Sequence, residues 1–389
     1  MDILREKIKQ TGMILREVGI DAWLVLVRET PVLADPVLPL VVGREVTWES
    51  FFLYTSGGKA VALVGEGDQA DFVRSGIFAE VRHYVQSPAD DFMEMLQQID
   101  PKSLAINYSL DDPSSDGLTH GMYLLLTDYL IGTPYANRLV SAEGICSKLR
   151  SRKTVTEMER LTSAAVLAES AWKKAVDELE PGMSEREIAE VIDGHVRRLG
   201  AEPSFPTIVN AGDKTEPGHS RPTDAKIEAG DLLHVDFGAR QYDYCSDLQR
   251  LVYFQRDHET SPPAKLTDAF SLVARIITET SKRTVPRVLG HEIDAVAREM
   301  LRDGGYDEYQ HALGHQLGRN VHDGGALIGP KWERYGKAPS IPIETDNVFT
   351  LELEINLPGI GCVGLEEDVH VTEGGALFLC PRQQELIVK

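Results

Sequence analysis

The sequence lacks several features by which common classes of protein are recognised. Its four cysteines lie far apart and form no CxxC pair, which argues against a zinc knuckle and against a disulfide framework. Its N-terminal segment reads as a charged amphipathic helix without the apolar core of a signal peptide. No apolar run approaches the roughly 20 residues of a membrane span. We therefore expect a cytoplasmic protein with no membrane partner.

Positive charge is also scarce, since 40 Lys and Arg residues face 61 Asp and Glu residues and the formal net charge is −21. This acidity argues against a phosphate-binding surface, so we expect no nucleic-acid partner. The chain contains neither a GxSxG elbow nor a GxxxxGK[ST] phosphate loop. GIGCVG at 359–364 matches a dinucleotide fingerprint, but a strand-like segment follows it where that fingerprint requires a helix. A bound cofactor other than metal is therefore not expected.

The length of 389 residues predicts two domains. Residues 1–150 alternate short helical and strand-like segments, which is typical of a small α/β unit. Residues 151–389 begin with two long helices, for which Thr156 and Ser184 are the predicted N-caps, with Glu159 as the capping-box partner of Thr156. Grouped strands and grouped helices follow, a pattern that favours the α+β class for the chain.

What the second half does contain is a set of acidic residues inside segments that read as buried strands. Asp236 and Asp247 are eleven residues apart around a polar turn, and Glu352 and Glu366 are fourteen apart around a Pro-Gly turn. A hairpin in each segment would bring its two carboxylates to one face. Burying so much negative charge is prohibitively costly unless a cation is held there. With His315 as a nitrogen ligand, this oxygen-rich set predicts a pair of divalent cations, Mn²⁺ or Co²⁺. Period-two alternation puts two further acids on the same faces, where they could exchange roles with the first: Glu354 and Asp368.

Histidines are concentrated close to this set. HALGHQLGRNVH carries His311, His315 and His322 within twelve residues. The spacing of the first two invites comparison with HExxH zinc peptidases, but the glutamate is absent and the glycines of this segment disfavour a regular helix. His219 lies in a loop punctuated by Gly and Pro, seventeen residues before Asp236. On its own, His219 reads as a surface residue.

Five separated segments, in this order and spacing, resemble the pita-bread metallopeptidases of family M24: FPTIVNAG…GHSRP, LLHVDFGA…SDLQR, HALGHQLGRNVH, FTLELE and GLEEDVHVTE. That family includes methionine aminopeptidase, aminopeptidase P and Xaa-Pro dipeptidase (prolidase). The resemblance covers roughly residues 155–375 by motif. Residues 1–150 are similar to the N-terminal domain of the prolidase, aminopeptidase P and creatinase branch. The resemblance therefore implies a catalytic pita-bread (creatinase/aminopeptidase) domain at 151–389 behind a smaller creatinase-like α/β domain.

The resemblance also implies a role for each candidate ligand. Asp247 and Glu366 would bridge two divalent metal ions, Asp236 would chelate one ion, and His315 and Glu352 would hold the other. Mn²⁺ and Co²⁺ are the expected ions, with Zn²⁺ as a further candidate. Two such cations can share a hydroxide and polarise the carbonyl of the bond to be cleaved. Creatinase, a metal-free relative, is disfavoured because all five ligand positions are filled.

Catalytic and substrate-binding roles follow in the same way. Glu352 would take a proton from the attacking water and return it to the leaving amine. His219 and His322 match the histidines that contact the substrate, and they would donate hydrogen bonds to the tetrahedral oxyanion. His311 is a weaker match near the substrate.

The function that the resemblance implies is hydrolysis of the Xaa-Pro bond, with dipeptides as the expected substrates and a homodimer as the expected assembly. The alternatives are an aminopeptidase P that takes longer peptides, a hydrolase of a non-peptide amide, and a non-catalytic binding module. The substrate is in doubt because Leu353, Asn356, Gly364 and Ala326 stand where relatives carry a proline, a tyrosine and two arginines. Arg334 is the predicted replacement for the lost carboxylate contact, because a guanidinium binds a carboxylate through two hydrogen bonds.

Overall fold

The computed structural model describes residues 2–214, 218 and 220–389, and the chain divides into two compact units, Met1–Arg150 and Ser151–Lys389. Each unit has its own buried apolar clusters. The four cysteines are free and buried. In the part of the chain that the structure describes, no helix is both long enough and apolar enough to cross a membrane.

The first unit is built on a mixed sheet with the strand order β4-β3-β2-β1-β5-β6. Its strands are β1 (Ala22–Val27), β2 (Ser50–Thr55), β3 (Ala60–Gly65), β4 (Glu80–Tyr84), β5 (Leu104–Ile106) and β6 (Leu139–Ser141). Its helices are α1 (Asp2–Val18), α2 (Leu38–Val41), α3 (Glu66–Ser75), α4 (Ala89–Ile99), α5 (His120–Tyr129) and α6 (Glu143–Ser151), with 3-10 turns at Pro113–Ser115 and Pro134–Asn137. Strand β1 pairs with β2 on one side and β5 on the other, and all its side chains are buried. That position explains why its sequence is a continuous apolar run.

The second unit contains a larger sheet with the order β13-β14-β12-β9-β8, to which β15 and β16 add, and a small sheet with the order β11-β10-β7. The strands are β7 (Glu202–Pro203), β8 (Ile208–Ala211), β9 (Leu232–Phe237), β10 (Ala239–Gln241), β11 (Tyr244–Cys245), β12 (Leu248–Tyr253), β13 (Val348–Leu357), β14 (Gly361–Thr372), β15 (Gly375–Phe378) and β16 (Ile387–Val388). The helices are α7 (Val155–Glu178), α8 (Glu185–Arg198), α9 (Ala264–Arg283) and α10 (Gly290–Asp303), with 3-10 turns at Glu333–Tyr335 and Ala338–Ser340. The grouped strands and helices confirm the predicted α+β class.

The two faces of the larger sheet differ in chemistry. Along β13, Leu351, Leu353 and Ile355 point into the apolar core, where α9 and α10 also pack. Glu352 and Glu354 alternate with these residues and point to the opposite face. A slip of one residue in register would exchange the two sets, and each large apolar side chain moved into water would cost about 1.5–3 kcal/mol. Core packing therefore fixes which face carries the acids.

The prediction for the start of α7 is wrong by two residues. Thr154 is the N-cap, its hydroxyl accepts from the backbone N–H of Glu157, and the Glu157 carboxylate accepts from the backbone N–H of Thr154. Thr156 and Glu159 have the same spacing, so the sequence alone offers both caps. Glu157 is buried and also accepts a hydrogen bond from the Tyr244 hydroxyl, at 2.9 Å. This tertiary contact selects the earlier cap. The cap of α8 at Ser184 is confirmed, with Glu187 as its partner.

Candidate metal centre

One row of side chains crosses the larger sheet. The strand registers pair Asp236 of β9 with Gln249 of β12, Gln249 with Glu366 of β14, and Glu366 with Glu352 of β13. Direct cross-strand partners share a face of the sheet, with their Cβ atoms about 5 Å apart. Asp247 lies two residues before Gln249 and therefore projects from the same face. Both predicted hairpins are present, and β12 and β14 join them into one surface.

The junction between β12 and β14 is supported from the opposite face by Arg250. Its guanidinium is fully buried and donates to the backbone carbonyls of Gln249 and Glu366, at 3.0 Å each. It also pairs with Glu169 of α7 at 3.1 Å and with Glu367 of β14 at 3.0 Å. Removing one member of a buried ion pair costs several kcal/mol, so Arg250 holds the two hairpins in register.

His315 reaches this row from a non-helical segment that lies against β13. Its backbone N–H donates to the Thr350 hydroxyl at 3.2 Å, and its carbonyl accepts from the Thr350 N–H at 2.9 Å. A Cβ on the preceding residue, Gly314, would lie 1.9 Å from the Thr350 carbonyl oxygen, so this close approach requires glycine. The structure thereby places the His315 imidazole beside the carboxylates of Asp247, Glu352 and Glu366.

The distances within this group suit ligands of a common cation. From His315 Nε2, Asp247 Oδ2 lies at 3.6 Å, Glu352 Oε1 at 3.7 Å and Glu366 Oε1 at 4.0 Å. Two atoms that each lie about 2.1 Å from one ion are at most about 4.2 Å apart. Asp247, His315 and Glu366 each offer a ligand atom within 4.8 Å of the others.

Buried oxygens without hydrogen bonds provide a second test of the fit. Asp236 Oδ1, Asp247 Oδ1 and Glu366 Oε1 are buried and have no hydrogen-bond partner among the residues that the structure describes. A buried acceptor left unsatisfied costs about 1–3 kcal/mol, and more when it is charged. A cation between these oxygens would satisfy all of them. The residues present therefore fit a divalent metal centre.

Without a cation, the burial of these carboxylates shifts their pKa values far from the ordinary ones. Burial, together with the charge of Glu352, raises the pKa of Asp236 to about 8. Burial also raises the pKa of Glu352 to about 7, and burial with neighbouring carboxylates raises the pKa values of Asp247 and Glu366 well above their usual range. For His315, burial and the nearby His322 lower the pKa to about 3, which leaves the imidazole neutral and able to bind a metal ion.

The two acids that could have exchanged roles with the ligands make other contacts. Asp368 accepts a hydrogen bond from the backbone N–H of Asp247 at 3.1 Å. Glu354 lies 3.6 Å from His311 Nε2. Burial lowers the pKa of His311, but the carboxylates of Glu354 and Glu352 raise it to a net value of about 9. His311 therefore pairs with Glu354, and it is absent from the described residues that line the cavity beside the row.

A residue that sequence reasoning missed occupies the middle of the row. Gln249 Nε2 lies 2.9 Å from Glu366 Oε2 and 3.4 Å from Glu352 Oε2. Its Oε1 lies 2.9 Å from His234 Nε2. A neutral amide in a strand carries no charge signal, and its position opposite Asp236 and Glu366 emerges only from the register. A search for polar residues on the predicted ligand face would have found it.

A cavity of about 400 Å³ opens beside the row. Its described lining comprises all five candidate ligands and His322, together with Phe205, Pro206, Ile208, Ser220, Arg221, Pro222 and Val321. The ring centroids of His322 and His315 are 4.3 Å apart, with the rings nearly perpendicular. Arg221 is the one arginine or lysine among the lining residues that the structure describes, and its side chain is exposed. The cavity thus combines acids, apolar surface and one permanent cation.

The remaining predicted substrate contacts are His219, which lies outside the described residues, and Arg334. Arg334 lies elsewhere on the surface, in a shallow pocket with Gln310, Trp332 and Glu333. Its guanidinium stacks on the Trp332 and Tyr335 rings, 4.7 and 4.9 Å from their centroids, and donates to the Gln310 carbonyl. Arg334 is not among the described residues that line the cavity beside the candidate ligands.

Two of the four departures from the resembled pattern are explained by packing in the apolar core. Leu353 and Ala326 are buried members of the apolar core. Asn356 is exposed near the end of β13. At the fourth position, a Cβ on Gly364 would lie 2.7 Å from Gln249 Oε1 and 2.8 Å from His234 Nε2. The space that a side chain would take at residue 364 is therefore filled by Gln249 and His234.

A sheet that presents four carboxylates and one imidazole to a cavity is the arrangement expected of a dinuclear metallohydrolase. Comparison with known proteins identifies the particular family: the chain belongs to metallopeptidase family M24, whose model matches residues 159–373. The fold is the pita-bread fold of that family, with an additional N-terminal α/β unit, and the family uses divalent metal ions. The family assignment made from the sequence motifs is confirmed.

Individual relatives agree over most or all of the chain. The Xaa-Pro dipeptidase of Pyrococcus horikoshii is 26% identical over 389 residues, which is 100% of both chains. The Xaa-Pro dipeptidase of Pyrococcus furiosus is 30% identical over 247 residues, covering 63% of this chain and 67% of that protein. The solved structure of an Xaa-Pro dipeptidase from Bacillus anthracis has a TM-score of 0.77 at 24% identity and covers 99% of each chain, which shows a common fold.

Proposed function

We propose that this protein is a dinuclear metal-dependent peptidase that hydrolyses the Xaa-Pro bond of dipeptides. The observation that carries the proposal is the row from Asp236 through Glu366 to Glu352, with Asp247 and His315 beside it. Its relatives named as Xaa-Pro dipeptidases support the substrate class.

Within this proposal, Asp247 and Glu366 would help to hold both ions, Asp236 would help to hold one, and His315 and Glu352 would hold the other. The ions, which we propose to be Mn²⁺ or Co²⁺ because most ligands are hard oxygens, would activate water and polarise the scissile carbonyl. A homodimer and a cytoplasmic location remain predictions from the sequence.

The protein's own residues would handle the proton and the developing negative charge. Glu352 is the proposed base, because it lines the cavity beside the other candidate ligands, where a carboxylate can take a proton from water and return it to the leaving amine. His322, at the edge of the cavity, donates a hydrogen bond to the tetrahedral oxyanion, and His219 keeps the same proposed role. Phe205, Pro206 and Pro222 provide an apolar wall that suits a prolyl ring.

Arg221 replaces Arg334 as the proposed contact for the substrate's terminal carboxylate. It lines the cavity together with the five candidate ligands, whereas Arg334 does not. In a site crowded with carboxylates, a guanidinium is the group best suited to offset the substrate's negative charge and to bind it through two hydrogen bonds. A cavity of about 400 Å³ with one such group among its described lining residues favours dipeptides over longer peptides.

The test is an assay of purified protein with Mn²⁺ or Co²⁺, or with EDTA, against matched Xaa-Pro and Xaa-Pro-Yaa peptides. Metal-dependent cleavage of Xaa-Pro is expected, and Asp236→Asn and Glu366→Gln should abolish it without unfolding the protein. Asp224→Asn, at an exposed aspartate that pairs with Arg186, is the control that should keep full activity. Cleavage of Xaa-Pro-Yaa alone would favour the aminopeptidase P alternative, and no metal-dependent cleavage of either peptide would refute the proposal.

A further inference from the structure

Gln249 is an uncharged residue at the centre of the candidate metal centre. Its side chain is buried, with 6% of the residue exposed, and its amide nitrogen faces the same oxygen, Oε2, of both Glu366 and Glu352. The other oxygen of each glutamate, Oε1, is the one that faces His315, at 4.0 Å for Glu366 and 3.7 Å for Glu352. The two oxygens of each carboxylate are therefore differentiated, one toward the amide and one toward the imidazole.

The orientation of the Gln249 amide is fixed by His234, which contacts the oxygen end of the amide, opposite the end that faces the glutamates. An amide has one donor end and one acceptor end. With the donor end on the glutamates, the acceptor Oε1 faces His234 Nε2 at 2.9 Å, so this ring nitrogen carries the proton. His234 Nδ1 in turn lies 3.0 Å from Asn210 Oδ1, and because a neutral imidazole donates through one nitrogen only, a hydrogen bond here requires the Asn210 amide to present its NH2 group to Nδ1. Neither Asn210 nor His234 is a candidate ligand, yet both are buried beside the row, on the same face of the sheet.

Gly364 provides the room for this contact. It lies two residues before Glu366, and a Cβ there would come within 2.8 Å of both Gln249 Oε1 and His234 Nε2. Contacts this short require the neighbours to move. Even the smallest side chain at residue 364 would thus displace the amide without touching a ligand. The contact between Gln249 and His234 therefore depends on the glycine at residue 364.

From this geometry we propose that Gln249, oriented by His234 and admitted by Gly364, is a positioning residue for the metal centre. It holds Oε2 of Glu366 and of Glu352, so that their Oε1 atoms are aimed at the ions together with Asp247 and His315. The inference rests on the proposed function for the presence of the ions. Partners that orient metal ligands typically contribute about 10–100-fold to metal affinity.

The experiment measures metal binding independently of peptide cleavage. Apo-protein is titrated with Mn²⁺ by calorimetry, and the visible absorption of Co²⁺-loaded protein reports ligand geometry. The variants are Gln249→Leu, which removes the donor, and Gly364→Ala, which displaces it. Each has a matched control outside the site. Gln383→Leu alters a buried amide that bonds the backbone of Leu251, and Gly374→Ala adds a Cβ whose nearest neighbour is Thr372 Oγ1 at 3.9 Å.

We expect the Mn²⁺ dissociation constant to rise by about 10–100-fold in Gln249→Leu and Gly364→Ala, with a changed Co²⁺ spectrum. Both controls should keep the wild-type affinity and spectrum, even if Gln383→Leu lowers the melting temperature. Wild-type Mn²⁺ affinity in both Gln249→Leu and Gly364→Ala would overturn this inference and leave the proposed metal centre standing. A wild-type protein that binds no divalent ion would overturn the proposed metal centre and this inference together. Metal binding weakened as expected, in a protein that cleaves no Xaa-Pro peptide, would support the inference and refute the proposed substrate.

Discussion

Removal of the metal ions should make the stability of this protein fall steeply as the pH rises. In the folded apo-protein, burial raises the pKa of Asp236 to about 8 and that of Glu352 to about 7. In an unfolded chain these groups titrate near pH 4. Between those values the folded state binds more protons than the unfolded state. The contribution of these two groups to the free energy of unfolding is therefore greatest at low pH, and it is lost as the pH rises through their folded-state pKa values.

The magnitude follows from the number of protons involved. Each such group changes the free energy of unfolding by at most about 1.4 kcal/mol per pH unit. Asp236 and Glu352 together set a ceiling of about 5 kcal/mol between pH 5 and pH 7, which is comparable to the whole stability of many domains. For a unit of this size, 1 kcal/mol corresponds to about 2–4 °C in melting temperature, so a loss of about 10–20 °C is the upper limit.

Bound metal should reverse this trend, because the ligands must lose their protons to bind. An ion present at about 100 times its dissociation constant adds about 2.7 kcal/mol of stability. The assay is a series of melting curves at pH 5, 6, 7 and 8 with EDTA or with Mn²⁺. Asp236→Asn should raise the melting temperature of the apo-protein at pH 8, whereas the exposed Asp224→Asn should not. Parallel pH curves with and without Mn²⁺, or an apo-protein that gains stability from pH 5 to pH 7, would refute the reasoning.

Three further tests address individual residues. Arg221→Ala should raise KM for Xaa-Pro dipeptides by about 10–100-fold through loss of a charge-assisted hydrogen bond, while Arg334→Ala leaves KM unchanged; equal effects of the two would contradict the assignment of Arg221. His322→Ala should lower kcat by about 100–1,000-fold while Mn²⁺ affinity by calorimetry stays the same, and an unchanged kcat would remove His322 from oxyanion stabilisation. Thr154→Ala should lower the free energy of unfolding in urea by about 1 kcal/mol, whereas Thr156→Ala should have little effect; the opposite order would contradict the observed cap.

Much of the ligand arrangement could be predicted because strand alternation and hairpin connection are local properties of the sequence. The spacing of Asp236 and Asp247 and that of Glu352 and Glu366 each predicted a hairpin, and both hairpins are present. The joining of the hairpins through Gln249 and Glu366 depends on long-range pairing, which no local pattern encodes. For that reason the sequence did not predict the position of the Gln249 amide at the centre of the row.

The sequence could not decide between equivalent local signals at two places, the N-cap of α7 and the arginine proposed to contact the substrate. Thr154 and Thr156 both begin a Thr-x-x-Glu sequence, and the contact between Glu157 and Tyr244 decides between them. Arg334 was selected from its charge and its loop, yet stacking on Trp332 holds it elsewhere. In both cases a tertiary contact, which the sequence does not display, outweighs the local preference.

The joining of the two hairpins also has a consequence for synthesis of the protein. Gln249 and Glu366 are 117 residues apart in the chain, and their side chains meet in the same row. At about 5–20 residues per second, a ribosome needs roughly 6–25 seconds to add that segment. Throughout this interval the growing chain lacks Glu366, so it offers a cation an incomplete set of ligands. We expect metal to be acquired after β14 has joined the sheet, as a late event in maturation of the chain.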